Sequence, residues 1–197
     1  MCIRDRGWNV RRIDVGGGLG IPYGPGEHFP SIREYVALME SVLAETGYEI
    51  ICEPGRSVVG NCGILVTEVL YKKVGYESIT HVILDAGMND FARPAMYGVT
   101  HQIIAVKKDE TAARKRVDIV GPVCETGDTF ATNYEIQELR NGDLVAICDV
   151  GAYGMSLAST YNSRPLPAEV LVKGDSYTIV RERGTHEALL QQSKICE

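Results

Sequence analysis

The chain has 197 residues, 45% of them apolar and 23% charged, which is the profile of a globular protein long enough to bury a core. Twenty Lys and Arg stand against 26 Asp and Glu for a net charge of -6, which argues against nucleic acid as the main partner, since phosphate neutralisation needs a basic surface. No apolar run approaches the ~20 residues of a membrane span, and Met1–Arg6 is charged and shows no signal peptide.

The first elements form one βαβ unit. Arg12 to Val15 is a short strand, and Gly16-Gly17-Gly18-Leu19-Gly20 follows it. Pro22, Pro25 and Pro30 hold an irregular loop. Ser31 with Glu34 three residues on is a capping box, and Ile32, Tyr35, Val36, Met39, Val42 and Leu43 recur at helical spacing. Gly47 is placed to stop that helix. Tyr48 to Cys52 is the next strand, and Glu53-Pro54-Gly55-Arg56 is its exit loop.

Beyond about residue 60 the pattern becomes β-rich. Strands are expected at 64–74, 81–85, 102–107, 117–120 and 144–150. A hairpin is expected from 168–172 and 177–180 around Lys173-Gly174-Asp175-Ser176. No long amphipathic helix separates these strands. The fold class is therefore α/β followed by a mostly antiparallel β domain, divided at residues 1–60 and 61–197. Two strands and one helix cannot cover a parallel sheet, and a whole β/α barrel takes ~250 residues. The expectation is a piece lacking the front half of such a barrel, with Met1–Arg6 read as an artefact of where the sequence was cut.

Six cysteines (Cys2, Cys52, Cys62, Cys124, Cys148 and Cys196) form no C-x-x-C pair, so no metal is expected. They read as reduced thiols of a cytoplasmic protein, most of them small buried apolar residues.

Glycines at the end of a parallel strand let backbone N–H groups approach an anion. A dinucleotide fingerprint fails here, because Ile21 and Pro22 follow Gly16-x-Gly18 where a third glycine and a helix are required. A methyltransferase-like loop fails for the same lack of a helix. A phosphate clasp in a barrel's βα loops fits, with a plain tight turn as the alternative. Glu53 and Arg56 leave the neighbouring strand toward the same mouth. There the acid suits a ring N–H and the arginine a phosphate or carboxylate; the alternative is a surface salt bridge. Arg93 with Tyr97, Cys124 with Glu125 in a tight turn, and Tyr153 between glycines complete the candidate set. Together they suit a phosphorylated cofactor and a zwitterionic substrate.

Six motifs, in order, resemble the diaminopimelate decarboxylases. They are Asp14–Tyr23, Glu53–Arg56, Leu84–Asp90, Arg93–Tyr97, Cys124–Asp128, and Gly151–Met155 with Tyr161–Pro165. The resemblance runs from about Gly7 to Leu190. It implies the end of an alanine-racemase-type (β/α)8 barrel and a C-terminal β domain, with pyridoxal 5'-phosphate as cofactor. It also implies a homodimer with a shared active site and conversion of meso-diaminopimelate to L-lysine and CO2. By resemblance, Gly16, Gly17, Gly18, Pro54 and Gly55 hold the cofactor, and Glu53 pairs with its ring nitrogen. Arg56, Arg93 and Tyr97 bind substrate carboxylate, Glu125 binds the distal amino end, and Tyr153 touches both molecules. Cys124 donates a proton after CO2 leaves, in the partner's site. The family's Schiff-base lysine matches none of this chain's lysines, which implies a chain inactive alone. Ornithine, arginine and carboxynorspermidine decarboxylases, and a non-catalytic regulator, are the rival readings.

Overall fold

The computed structural model describes residues 6–24 and 26–191. The expectations for Cys2, Cys196, Pro25 and most of Met1–Arg6 lie outside them. Strand β1 (Arg12–Asp14) pairs in parallel with β2 (Glu49–Ile51), and helix α1 (Ile32–Leu43) connects them. The capping box forms: Ser31 Oγ accepts from Glu34 N–H, and the Glu34 carboxylate accepts from Ser31 N–H at 2.8 Å. A 3-10 turn over Ala44–Thr46 extends the helix, and Gly47 ends it in the left-handed region.

After the short helix α2 (Arg56–Val59), six strands form one sheet. They are β3 (Leu65–Val74), β4 (Thr80–Leu84), β5 (Ile103–Ala105), β6 (Arg114–Val120), β7 (Thr129–Gln137) and β8 (Leu144–Ile147), in the order β5-β8-β3-β4-β6-β7. Four pairings are antiparallel and one, β4 with β6, is parallel, so the sheet is mixed. Alternate residues of these strands bury Val69, Val82, Leu84, Ile119, Val145 and Ile147 around Phe91. The sheet curls until its two edges meet. Tyr134 Oη on β7 donates to the Ile103 carbonyl on β5 and accepts from its N–H, at 3.1 and 2.9 Å. Gln137 repeats the device, donating to the Lys107 carbonyl and accepting from Asp109 N–H. Side chains thus close the edges where no backbone ladder does.

Helices α3 (Arg93–Tyr97) and α4 (Gly154–Leu157) occupy loops at one end of this sheet. Strands β9 (Glu169–Lys173) and β10 (Ser176–Arg181) form the expected hairpin, and α5 (His186–Leu190) follows. Among the described residues no helix is long and apolar enough to cross a membrane.

Three expectations need correction. Strand β7 was not anticipated: Asn133 takes a left-handed φ of 50° and breaks the alternation that a sequence pattern needs. The strand expected over 144–150 stops at Ile147, because Asp149, also left-handed, turns the chain. The cysteines are not mostly buried: Cys52, Cys62 and Cys124 are exposed and Cys148 is half-buried. Cys52 ends the two-stranded sheet and Cys62 lies in a surface 3-10 turn, so neither reaches the core.

Candidate functional site

The parallel register of β1 and β2 delivers two loops to one place. Val15 N–H donates to the Ile51 carbonyl at 3.0 Å and Glu53 N–H to the Gly16 carbonyl at 2.8 Å, so the glycine loop and Glu53–Arg56 lie side by side. A Cβ on Gly17 would stand 2.5 Å from the Glu53 carbonyl, a contact that no side chain tolerates. Gly16 and Gly18 have φ of 67° and 81° and open space where a Cβ would project. Tyr35 of α1 donates its hydroxyl to the Gly17 carbonyl at 2.6 Å and fixes the loop to the helix.

The result is a cleft of about 410 Å³. Gly16, Gly17, Gly18, Glu53, Pro54, Gly55, Arg56 and Tyr153 all line it, with Tyr35 and Val36 from α1. Tyr153 arrives from the sheet because Gly151 seats against α2: its N–H donates to the Gly60 carbonyl at 2.9 Å, and a Cβ there would run into the Val59 carbonyl. Tyr153 itself is left-handed, with φ 66°.

Beside the cleft is a cage of aromatic rings around two guanidinium groups. Arg93 lies 5.6, 5.4 and 5.1 Å from the ring centroids of Tyr23, Tyr97 and Tyr153. Arg56 lies 5.9 Å from those of Tyr23 and Tyr153. These are cation–π distances. Arg93 is only 6% exposed, yet no carboxylate pairs with it or with Arg56 among the described residues. Arg93 Nη2 donates to Tyr23 Oη at 3.3 Å, while its Nε is buried without a partner. A buried, unpaired guanidinium is costly unless an anion joins it.

His101 backs the cage, its ring 4.2 Å from that of Tyr23. Its Nδ1 donates to the Cys148 carbonyl at 2.8 Å, and its buried Nε2 has no partner. Burial pushes its pKa below the ordinary 6.5, and the charges of Arg93 and Arg56 push the same way. Neither Tyr23 as a cage wall nor His101 was singled out from sequence. Tyr23 closes a quoted motif, whereas a lone histidine carries no pattern.

Cys124 and Glu125 are elsewhere, exposed at the tip of the 121–128 turn. Asp128 organises that turn from below, accepting from Val123 and Met88 N–H at 2.6 Å each. Burial pushes its carboxyl pKa up against those bonds. Tyr161 Oη donates to Glu125 at 3.3 Å, and Asn162 Nδ2 lies 3.4 Å from Cys124 Sγ. The Glu125 charge raises the pKa of the Tyr161 hydroxyl. The structure therefore joins the cofactor candidates to the arginine candidates through Tyr153, whereas Cys124 and Glu125 line neither the cleft nor the cage, although Gly127 of their turn faces Ala95 of α3.

Free glycine N–H groups, a carboxylate and two unpaired guanidiniums define a cleft receptive to a phosphorylated, ring-bearing ligand at the junction of a βαβ unit and a curled mixed sheet. The family described as "Pyridoxal-dependent decarboxylase, C-terminal sheet domain" matches residues 13–151. Diaminopimelate decarboxylase from Aquifex aeolicus is 42% identical over 193 residues, covering 97% of this chain and 45% of that protein. The crystal structure of diaminopimelate decarboxylase from Helicobacter pylori complexed with L-lysine superposes with a TM-score of 0.84 at 41% identity, covering 96% of this chain and 46% of that one. The enzyme from M. jannaschii in co-complex with L-lysine gives 0.88 at 35% identity, covering 98% and 45%. The chain belongs to the pyridoxal-dependent decarboxylase family and includes its C-terminal sheet domain. It spans about half the length of the curated relatives it matches.

The residues present fit pyridoxal phosphate. No hydrogen bond uses the N–H groups of Gly17 and Gly18, and the Glu53 carboxylate has no partner among the described residues. The cleft has the size and the few convergent polar groups of a cofactor site.

Proposed function

We propose that this chain supplies the glycine–glutamate pocket and the anion cage of a decarboxylase that converts meso-diaminopimelate to L-lysine and CO2. The observation that carries the reading is the unpaired Arg56–Arg93 cage opening beside the Glu53 cleft. Pyridoxal phosphate, when bound, supplies electron withdrawal from the α-carbon of an amino acid.

The chain's own residues do the rest. Gly17, Gly18 and Gly55 present backbone N–H groups to a phosphate, while Gly16 turns the loop with its own N–H donated to Asp14 Oδ1 at 2.7 Å, and Pro54 lines the cleft beside them. The Glu53 side chain pairs with a ring nitrogen and holds a proton there. Arg56 and Arg93 bind a substrate carboxylate through their forks, and Tyr97 and Tyr153 wall the carboxylate in. A substrate with two carboxylates suits two guanidiniums; a diamine or guanidine product does not. Glu125 takes a distal ammonium. Cys124 Sγ–H donates its proton to the α-carbon once CO2 has left.

Cys124 lies outside the cleft of its own chain, which supports a homodimer in which it serves the partner's site. The unpartnered α1 supports reading residues 1–60 as the end of a (β/α)8 barrel and 61–197 as the sheet domain: none of its residues is buried, and Val42 is 64% exposed. Substrate profiling of the intact protein tests the function. CO2 release from meso-diaminopimelate at least tenfold faster than from ornithine or arginine is expected. A preference for either diamine precursor sinks the assignment.

A further inference from the structure

Arg164 lies outside both cleft and cage, yet it ties two loops together. Its Nε donates to Asn89 Oδ1 at 2.9 Å, its Nη2 donates to the Asp85 carbonyl, and the same Nη2 stands 3.5 Å from Asp90 Oδ2. Ser159 N–H reinforces the junction, donating to the Asn89 carbonyl at 2.8 Å. The stretch between Ser159 and Arg164 carries the two residues that reach the tip of the 121–128 turn, Tyr161 and Asn162. Asn162 and Ser163 are both left-handed, with φ of 58° and 57°. Non-glycine residues hold that conformation only where their surroundings determine it, and Arg164 is the next residue.

We infer that Arg164 is a positioning residue for Cys124 and Glu125. By clamping its chain to the 85–90 turn, it aims Tyr161 and Asn162 at that pair. Three acceptors of different geometry, an amide oxygen, a carbonyl and a carboxylate, meet one planar fork, which a lysine's point charge cannot reproduce. The 85–90 turn does not depend on the clamp. Gly87 N–H donates to Asp90 Oδ2 at 2.8 Å, Asp90 N–H to the Gly87 carbonyl at 2.9 Å, and Met88 N–H to Asp128. Loss of Arg164 therefore frees the 158–164 arm and leaves α3, with Arg93, in place. The geometric claim stands alone; its catalytic consequence rests on the role proposed for Cys124.

The test is alkylation of the intact protein by iodoacetamide, followed at each cysteine by peptide mass spectrometry. It is run about one unit above the usual thiol pKa of about 8.5, where the rate reports access to the sulfur. In Arg164→Met, Cys124 reacts at least roughly tenfold faster, the factor that one hydrogen bond to a charged acceptor represents, while Cys52 and Cys62 keep their rates. Asn162→Ala, which leaves the clamp intact, gives the same acceleration, and the double variant gives no more. A Cys124 rate in Arg164→Met equal to wild type, or additive effects in the double variant, overturns the assignment. Should Arg164→Met unfold, seen as every thiol accelerating together, Arg164→Lys decides: an intermediate Cys124 rate supports the clamp, and a wild-type rate overturns it. Arg164→Lys also lowers kcat through Cys124 and raises KM through Glu125, which binds the substrate. If Cys124→Ala keeps full kcat while the alkylation pattern holds, Cys124 loses its catalytic role and the clamp stands.

Discussion

The βαβ unit and the curled sheet are built on opposite economies. The sheet has its own core, with Leu84, Val69 and Ile147 at 0% exposure, and its edges are stitched by Tyr134 and Gln137. The βαβ unit has a three-residue parallel pair and a helix with no buried residue, on which Ile32 and Leu38 are 62% and 56% exposed. Yet the unit's loops carry the densest chemistry, and they are held by contacts at Gly17, Tyr35 and Gly151 together with the buried side chains of Ile21 and Tyr23. Stability and ligand binding are thus unevenly shared in this chain: the sheet carries most of the core and holds Arg93, while the glycine loop adds Tyr23 to the cage and leaves open backbone groups beside it.

The sharpest way to break that division is Cys124→Ala in the intact protein. On the proposed mechanism kcat falls by about 10²–10⁴-fold with KM nearly unmoved, because a general acid acts only in the transition state. Mixing Cys124→Ala subunits with Glu53→Gln subunits should then restore one active site per heterodimer. No recovery despite heterodimer formation would remove the shared site.

A large structural effect should fall on the sheet alone. Leu84→Ala is expected to cost about 2–5 kcal/mol in urea unfolding, since a fully buried leucine leaves a cavity. Leu38→Ala in α1 costs under about 1 kcal/mol if its exposure persists in the intact protein. A large cost at Leu38 would show that another segment covers α1 there, and would narrow the contrast between the two regions.

Two substitutions separate the contributions to the site. Glu53→Gln should lower kcat by roughly 10²-fold, about 3 kcal/mol, while cofactor affinity measured by equilibrium dialysis changes less. Arg93→Ala should mainly raise KM, by roughly 10–150-fold, the range of a charged hydrogen bond, because it binds ground and transition states alike. A kcat loss without a KM change at Arg93 would move it from binding to chemistry.

The smallest effect is a pH dependence of the sheet. The folded protein holds His101 below its ordinary pKa of 6.5, so the unfolded state takes up its proton first as the pH falls. The stability from this group is complete above 6.5 and is lost as the pH falls from there toward the lower folded value. For one proton the unfolding constant changes by at most about tenfold per pH unit. Asp90 and Asp128, whose carboxyls burial raises, act in the opposite sense: their contribution is present below the ordinary 3.8 and is lost as the pH rises through the folded values. Urea unfolding of His101→Asn at pH 7.5 and 6.0 should show a flatter slope than wild type; an unchanged slope would assign the acid limb elsewhere.

Local chemistry was legible in the sequence wherever the physics is local. The capping box at Ser31 and Glu34, the stop at Gly47 and the β9–β10 hairpin each depend on residues a few positions apart, and the parallel pair was legible through the helix that joins its strands. The ordered motifs also located the cleft residues, from Gly16 to Arg56, because glycines and an acid at strand ends have few other uses in combination. Only the tertiary structure decided the rest. Strand β7 is interrupted by a bulge whose cost the sheet repays through Phe130 and Ile136. His101 gains its meaning from Tyr23, 78 positions earlier in the chain. Arg164 gains its meaning from Asn89, 75 positions away. Sequence spacing sets which side chains share a turn or a face; which distant loops meet is set by how the sheet curls, and that depends on long-range packing of the whole core.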